Sequence, residues 1–126
     1  MNHIELNPSI NELTRLNEFI HGEVSNIGYD VDLIVEEVFV NIVNYSNCTY
    51  IKVNVECKDS ILKMEFIDDG IQFNPLESES PDSPDTIDEA EIGGLGIHLV
   101  KNLTDELNYE YENNENHLTI IKKVKT

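Results

Sequence analysis

The sequence predicts an α+β fold in two layers, a mainly antiparallel sheet with three helices on one face. Two observations carry this: the elements read in the order β, α, α, β, β, loop, α, β, β, and four of the five strand runs fall into pairs joined by short polar turns. At 126 residues the chain makes one domain, 1–126, at roughly 150 residues per domain. Folding at that size is expected to bury about two-thirds of the unfolded surface, so a real core needs no staples.

Ile4 to Leu6 reads as a short first strand, ended by Asn7-Pro8. From Ser9 the apolar positions Ile10, Leu13, Leu16, Ile20 and Val24 recur at helical spacing, with Ser9 as N-cap and Glu12 completing a capping box. This first helix is expected to close near Gly28, after which Asp30 caps a second from Val31 to Tyr45. The β-branched residues of that segment favour a strand by propensity, but its length favours a helix. Its polar residues decide for the helix: Glu36, Glu37, Asn41 and Asn44 share one sector, while Leu33, Ile34, Val35, Val38, Phe39, Ile42 and Val43 cover most of the rest.

Tyr50 to Glu56 and Ile61 to Ile67 read as a hairpin turned at Lys58-Asp59-Ser60. Pro75 to Ala90 has three prolines, three serines and no periodicity, and reads as a mobile loop. Gly93-Gly94-Leu95-Gly96 then opens a third helix to about Leu103, followed by strands from Leu107 to Glu112 and from His117 to Val124, joined by Asn113-Asn114-Glu115-Asn116.

Eight Lys plus Arg against twenty-five Asp plus Glu leave a formal charge of −17. Such a surface repels a phosphate backbone, so direct nucleic-acid binding is excluded, and basic partners or cations are favoured. No apolar stretch reaches the roughly 18 residues that span a bilayer, and no secretory signal opens the chain; a cytoplasmic location away from membranes is expected. Cys48 and Cys57 are too few and wrongly spaced for structural zinc and are expected to pack as thiols.

Three constellations carry chemistry. Glu37 and Asn41 lie one helical turn apart and project together. An amide oxygen can join the octahedral shell of magnesium, and a carboxylate can take a proton from an attacking hydroxyl or water. Alone, such a pair reads as an ordinary hydrogen-bonded stripe, though apolar surroundings weaken that reading. Asp68-Asp69-Gly70, followed by Phe73-Asn74-Pro75, sits at a strand end. Its carboxylate can accept from an exocyclic amine while the glycine admits a flat ring, or the segment is a plain turn. Gly93-Gly94-Leu95-Gly96 at a helix start offers free N–H groups to an anion, or is a flexible connector; it matches neither the dinucleotide fingerprint nor a Walker A loop.

Taken in order, these segments resemble the GHKL superfamily of ATPases and kinases with the Bergerat fold, and within it the anti-sigma regulatory factors that are serine/threonine protein kinases. Glu37 to Asn41, continued as Asn41-Ile42-Val43-Asn44-Tyr45, is similar to that family's N box. Asp68 to Gly70 with Phe73-Asn74-Pro75 is similar to its first glycine box, and Ile92 to Val100, running on to Leu103-Thr104-Asp105-Glu106, to its second. The resemblance covers nearly the whole chain. It implies a Bergerat-type sandwich binding ATP and Mg2+, with Asn41 holding the metal and Glu37 as catalytic base. Asp68 would hold the adenine amine, Gly70 would admit the ring, and Gly93, Gly94 and Gly96, with Leu95 between them, would wrap the phosphates. Residues 75–92 would form an ATP lid, and Thr119 falls near a family position that supports adenine contacts. Asn44 shares the stripe, either at the phosphates or bonded within the core.

The resemblance further implies phosphorylation of an anti-anti-sigma partner, sequestration of a sigma factor, and a homodimer. Two features depart from it. Leu76 to Ile92 holds seven acids and no Lys or Arg, whereas phosphoryl transfer usually places cations on the developing charge. Glu36 adjoins Glu37, and spacing to Asn41 selects Glu37 as base. A non-catalytic nucleotide-dependent binding module and simple ATP hydrolysis therefore remain alternatives to the kinase. His98, Tyr109, Tyr111 and the basic end Lys122, Lys123 and Lys125 read as packing or surface residues.

Overall fold

Six apolar side chains of the second helix, Val31, Ile34, Val35, Val38, Phe39 and Ile42, are buried, and this apolar sector sets the layering of the whole molecule. At roughly 1.5–3 kcal/mol for each large aliphatic or aromatic side chain withdrawn from water, that sector outweighs the β propensity of its branched residues. The computed structural model describes residues 2–24, 27–74 and 95–124, the first three of the last segment by backbone alone. Helix α1 is Leu13–Glu23, α2 is Tyr29–Tyr45 and α3 is Leu95–Leu103, with a 3-10 turn at Ile10–Glu12. The strands are β1 Asn2–Leu6, β2 Ile51–Lys58, β3 Ile61–Asp68, β4 Glu106–Glu112 and β5 Glu115–Lys123.

The strands form one sheet in the order β1-β2-β3-β5-β4, every pairing antiparallel. Alternation along the strands divides the faces. Ile51, Val53, Val55, Leu62, Met64, Phe66, Leu118 and Ile120 are buried and join Leu16, Ile20 and the α2 residues in one core. The α+β sandwich expected from the sequence is therefore the observed fold. Among the described residues, no helix is long and apolar enough to cross a membrane.

Several boundaries move for identifiable reasons. Ser9 caps the 3-10 turn through its Oγ, which accepts from the Asn11 N–H at 3.3 Å, while Glu12 Oε2 accepts from the Asn7 N–H at 3.1 Å and from Arg15 at 2.9 Å. The expected capping box is thus not closed on itself: Ser9 bonds one residue short of Glu12, and Glu12 reaches two residues past Ser9 to Asn7. Helix α1 ends at Glu23, and Gly28, expected near its close, instead stands at the N-cap of α2. Asp30 lies inside α2; its carboxylate accepts from the Val31 N–H at 2.9 Å and pairs with Lys122 at 3.1 Å. That pair clasps β5 to the start of α2, so Lys122 is no free surface lysine, and its ammonium holds Asp30 below the usual carboxylate range.

The last hairpin turns on two residues, Asn113 and Asn114, whose φ of 54° and 63° suits asparagine better than most side chains. Glu115 and Asn116, expected in the linker, belong to β5. Cys48 packs partly against the core, but Cys57, expected to pack, lies exposed on β2.

Candidate functional site

The register of β3 sets the site. Asp68 lies opposite Ile51 on β2 and opposite Asn116 on β5, and both polar residues are buried, at 4% and 6% exposure. Buried polar groups need partners, and these two have them. Asp68 Oδ1 accepts from the Gly70 N–H at 2.9 Å, from Asn116 Nδ2 at 3.0 Å and from the Ser46 hydroxyl. No described residue donates to Oδ2. Asn116 Nδ2 also donates to the Ile71 carbonyl at 2.8 Å, while its Oδ1 accepts from the Phe73 N–H at 3.1 Å and from the Tyr109 hydroxyl. Both ends of the amide are thus engaged twice, which fixes its orientation.

Asp69 faces the other way. Its carboxylate accepts from the Thr49 N–H at 2.6 Å, from the Tyr50 N–H at 3.1 Å and from the Thr49 hydroxyl, tying the β3 exit to the segment leading into β2. Partial burial pushes its pKa upward, but these hydrogen bonds outweigh that and hold the carboxyl below its usual range. Gly70 has a steric duty of its own. A Cβ there would lie 1.8 Å from Ser46 Oγ and 2.2 Å from the Ser46 carbonyl oxygen, so the glycine lets the end of α2 settle on the strand exit.

A cavity opens above this network, with α2 on one side and the sheet on the other. Val38, Ile42, Phe66 and Leu118 give it apolar walls; Asn41, Tyr45, Asp68 and Asn116 bring polar groups; Phe73 and Tyr109 add rings. The Tyr45 hydroxyl is buried and has no hydrogen-bond partner among the described residues. Apolar walls with a few convergent polar groups are the usual make-up of a site for a flat, partly polar ligand. Two groups without partners among the described residues, Asp68 Oδ2 and the Tyr45 hydroxyl, fit a base-like heterocycle that offers donors and acceptors.

The remaining candidates separate by position. Glu37 is half-buried on α2, one turn before Asn41, whereas Glu36 is exposed and faces α1 beside Asn17 and His21. Asn44 is exposed on the next turn of α2. Leu95 and Gly96 form the first turn of α3, which packs on α2; Gly93, Gly94 and the 75–92 segment lie outside the described residues. Thr119 is not part of the cavity. It sits opposite Glu65 and between buried Leu118 and Ile120, so alternation points it to the sheet face away from the helices.

The sequence alone gives Asn116, Ser46 and Tyr109 no place in the site, and Tyr109, read there as packing or surface, proves to be a cavity residue bonded to Asn116. Tyr111 and His98 are exposed as expected. Among the described residues no group of three or more His, Cys, Asp and Glu side chains could hold a metal ion by itself. Asn41 alone suits magnesium only where other oxygens complete the shell, as phosphates and water would. Among the described residues no lining residue of the cavity is cationic.

Comparison with known proteins bears on this arrangement. The family model for the histidine kinase-like ATPase domain matches residues 10–122. The chain is 29% identical over 59 residues to the serine/threonine-protein kinase BtrW of Bordetella bronchiseptica, a match spanning 47% of this chain and 42% of that protein's length. The chain's structure resembles that of the Acinetobacter baumannii histidine kinase AdeS with a TM-score of 0.54 at 12% identity, covering 100% of this chain and 69% of that one. At that identity the likeness concerns the fold alone.

Proposed function

We propose that this chain, which belongs to the histidine kinase-like ATPase domain family, is a serine/threonine protein kinase that binds ATP with magnesium and phosphorylates an anti-anti-sigma partner. In the same reading it sequesters a sigma factor as a homodimer. Family membership supplies the coarser part, an ATPase-type, kinase-like nucleotide-binding domain. The Ser/Thr chemistry is supported by the partial likeness to a serine/threonine-protein kinase, and the sigma pathway by the resemblance of the ordered motifs.

One observation carries the reading most directly. Asp68 is buried at the floor of the cavity with Oδ1 saturated by three donors, which leaves Oδ2 as the acceptor for an exocyclic amine. A purine with an amine at that position is held in one orientation, its faces against the apolar walls. Asn41 then offers its amide oxygen toward the phosphates, where magnesium, when bound, would neutralise charge on the transferring group. With no cation among the described lining residues, the N–H groups that open α3 are the chain's own stabilisers of that charge. Glu37 accepts the proton of the attacking serine or threonine hydroxyl as its oxygen bonds to the terminal phosphorus and the bridging oxygen departs with the diphosphate.

A second reading, a binding module in which nucleotide alters a protein-binding surface without transfer, is favoured by the segment from Leu76 to Ile92 with its seven acids and no base. Incubation with labelled ATP and a candidate anti-anti-sigma protein separates them. Transfer that Glu37→Ala abolishes while Glu36→Ala spares it supports the kinase; tight ATP binding without transfer supports the module. Phosphate release in the absence of any partner indicates hydrolysis alone.

A further inference from the structure

The chain of hydrogen bonds under the cavity does not stop at Asn116. Its Oδ1 accepts from two donors of different standing, the Phe73 N–H at 3.1 Å and the Tyr109 hydroxyl. Phe73 lies beyond the end of β3 and in no strand or helix, whereas Tyr109 sits within β4, paired with Leu118 of β5. Asn116 is two residues from Leu118, so the bond runs diagonally across the β4–β5 pair, a span that a side chain as long as tyrosine covers. Tyr111 stands directly opposite Asn116, too near for a hydroxyl at the far end of its ring to fold back on the amide, and is 38% exposed. Among the described residues, Tyr109 is thus the donor to this amide that the sheet itself holds in place, and its ring lines the cavity as well.

We propose that Tyr109 is a positioning residue for base selection, acting through Asn116 on Asp68. This rests on the nucleotide reading above, in which Asp68 Oδ2 takes the exocyclic amine. Asn116 Nδ2 gives its two hydrogens to Asp68 Oδ1 at 3.0 Å and to the Ile71 carbonyl at 2.8 Å, so any shift of the amide is felt at the carboxylate. With Tyr109 in place, Oδ1 is filled by Asn116, Gly70 and Ser46, and Oδ2 alone is left to meet a base. Loss of the Tyr109 hydroxyl leaves the Asn116 oxygen with the Phe73 N–H as its one described donor. The amide can then tilt away, Oδ1 regains a free lone pair, and the carboxylate has two ways of meeting the amine instead of one. The amine contact weakens, while contacts with the rest of the nucleotide do not. The signature is a lost preference for the amine, not a general loss of affinity.

The test uses the full chain with ATP and with purine riboside triphosphate, the same nucleotide without its 6-amine, each with magnesium in calorimetric titration. The parent should prefer ATP by about tenfold or more, since a site built to hydrogen-bond a group rejects the analogue lacking it. Tyr109→Phe keeps the ring and should shrink that preference about three- to fivefold, roughly one neutral hydrogen bond, with affinity for the amine-free nucleotide unchanged. Tyr111→Phe should leave the preference as in the parent. In an Asn116→Ala background, studied below its melting transition, Tyr109→Phe should have no further effect, because the hydroxyl acts through the amide. A parent that binds neither nucleotide, or both alike, removes the nucleotide reading and this proposal with it. With a parent that prefers ATP, three results overturn the proposal and leave the nucleotide reading standing: an equal preference in Tyr109→Phe, a loss of both nucleotides in the same proportion, or a further loss of preference in the Asn116→Ala background.

Discussion

Replacing Asn116 by alanine should loosen the floor of the cavity in a way that can be worked out bond by bond. The substitution deletes two donated hydrogen bonds, to Asp68 Oδ1 and the Ile71 carbonyl, and two accepted ones, from the Phe73 N–H and the Tyr109 hydroxyl. Each intramolecular bond is worth about 0.5–1.5 kcal/mol net, and a buried group left unpaired costs about 1–3 kcal/mol. Not all four losses count fully. The Ile71 and Phe73 side chains are 60% and 40% exposed, so water can reach that backbone, and Asp68 keeps the Ser46 and Gly70 donors on the same oxygen. A loss of about 2–3 kcal/mol in unfolding free energy is therefore expected. At roughly 4 °C per kcal/mol for a chain of this size, the melting temperature should fall by about 8–12 °C. Because the Asp68 carboxylate would also rotate more freely, ATP affinity measured below the transition should drop by about tenfold, one charge-assisted hydrogen bond being worth about 1.5 kcal/mol or more. Calorimetric melting and titration read both quantities. A melting temperature within about 2 °C of the parent, far below the shift that a buried amide with four bonds requires, would refute the role given to Asn116.

Other outcomes follow from the same network. Gly70→Ala drives a methyl into the Ser46 backbone, which cannot swing aside as a side-chain tip can, and should cost more than about 3 kcal/mol in urea unfolding, with Gly22→Ala, where nothing lies within 4 Å, as the mild control. Asp69 is more acidic in the folded chain than in the unfolded one, so its contribution is present above the ordinary carboxylate pKa and disappears as pH falls through the lowered folded value; Asp69→Asn should flatten the acid limb of a pH–stability profile. The hydrogen bond to Glu115 pushes the Tyr50 hydroxyl up to about 12, and Glu115→Gln should return its ionisation toward the ordinary 10.0 in a spectrophotometric titration. A value unmoved by that change would remove Glu115 as the cause.

Much of this architecture can be read from the residues. Helix α2 was legible despite its β-branched residues because fifteen-odd residues with polar groups confined to one sector have no strand solution, and the hairpin of β2 and β3 was legible from its alternation. The fold class followed from the order of these elements. Glu37 and Asn41 were legible as a pair because they are local, four residues apart on one helix. Asn116 was not, since its meaning depends on a β3–β5 register between residues 48 apart in sequence, and an asparagine after Asn113-Asn114 reads as more turn. A signal was nonetheless available. Leu118 and Ile120 mark the buried phase of β5, and extending that phase backward puts Asn116 on the core side, where a polar residue calls for a partner, while putting Thr119 on the opposite side. Ser46 was hidden for a different reason: its contact with Asp68 needs the end of α2 pressed against a glycine, and local pattern does not encode that approach.

The central claim is that Asp68 Oδ2 and Asn41 present a nucleoside triphosphate with its only strong protein handles in the described cavity. Isothermal titration of the chain with ATP and magnesium, repeated on Asp68→Asn, addresses it most directly. Saturable one-to-one heat is expected for the parent chain, with affinity falling about ten- to hundredfold in Asp68→Asn, where an amide donor can replace the acceptor that meets the base amine. Absence of heat with any adenine nucleotide plus divalent metal, from protein shown to be folded, or equal affinity in the two chains, would contradict it.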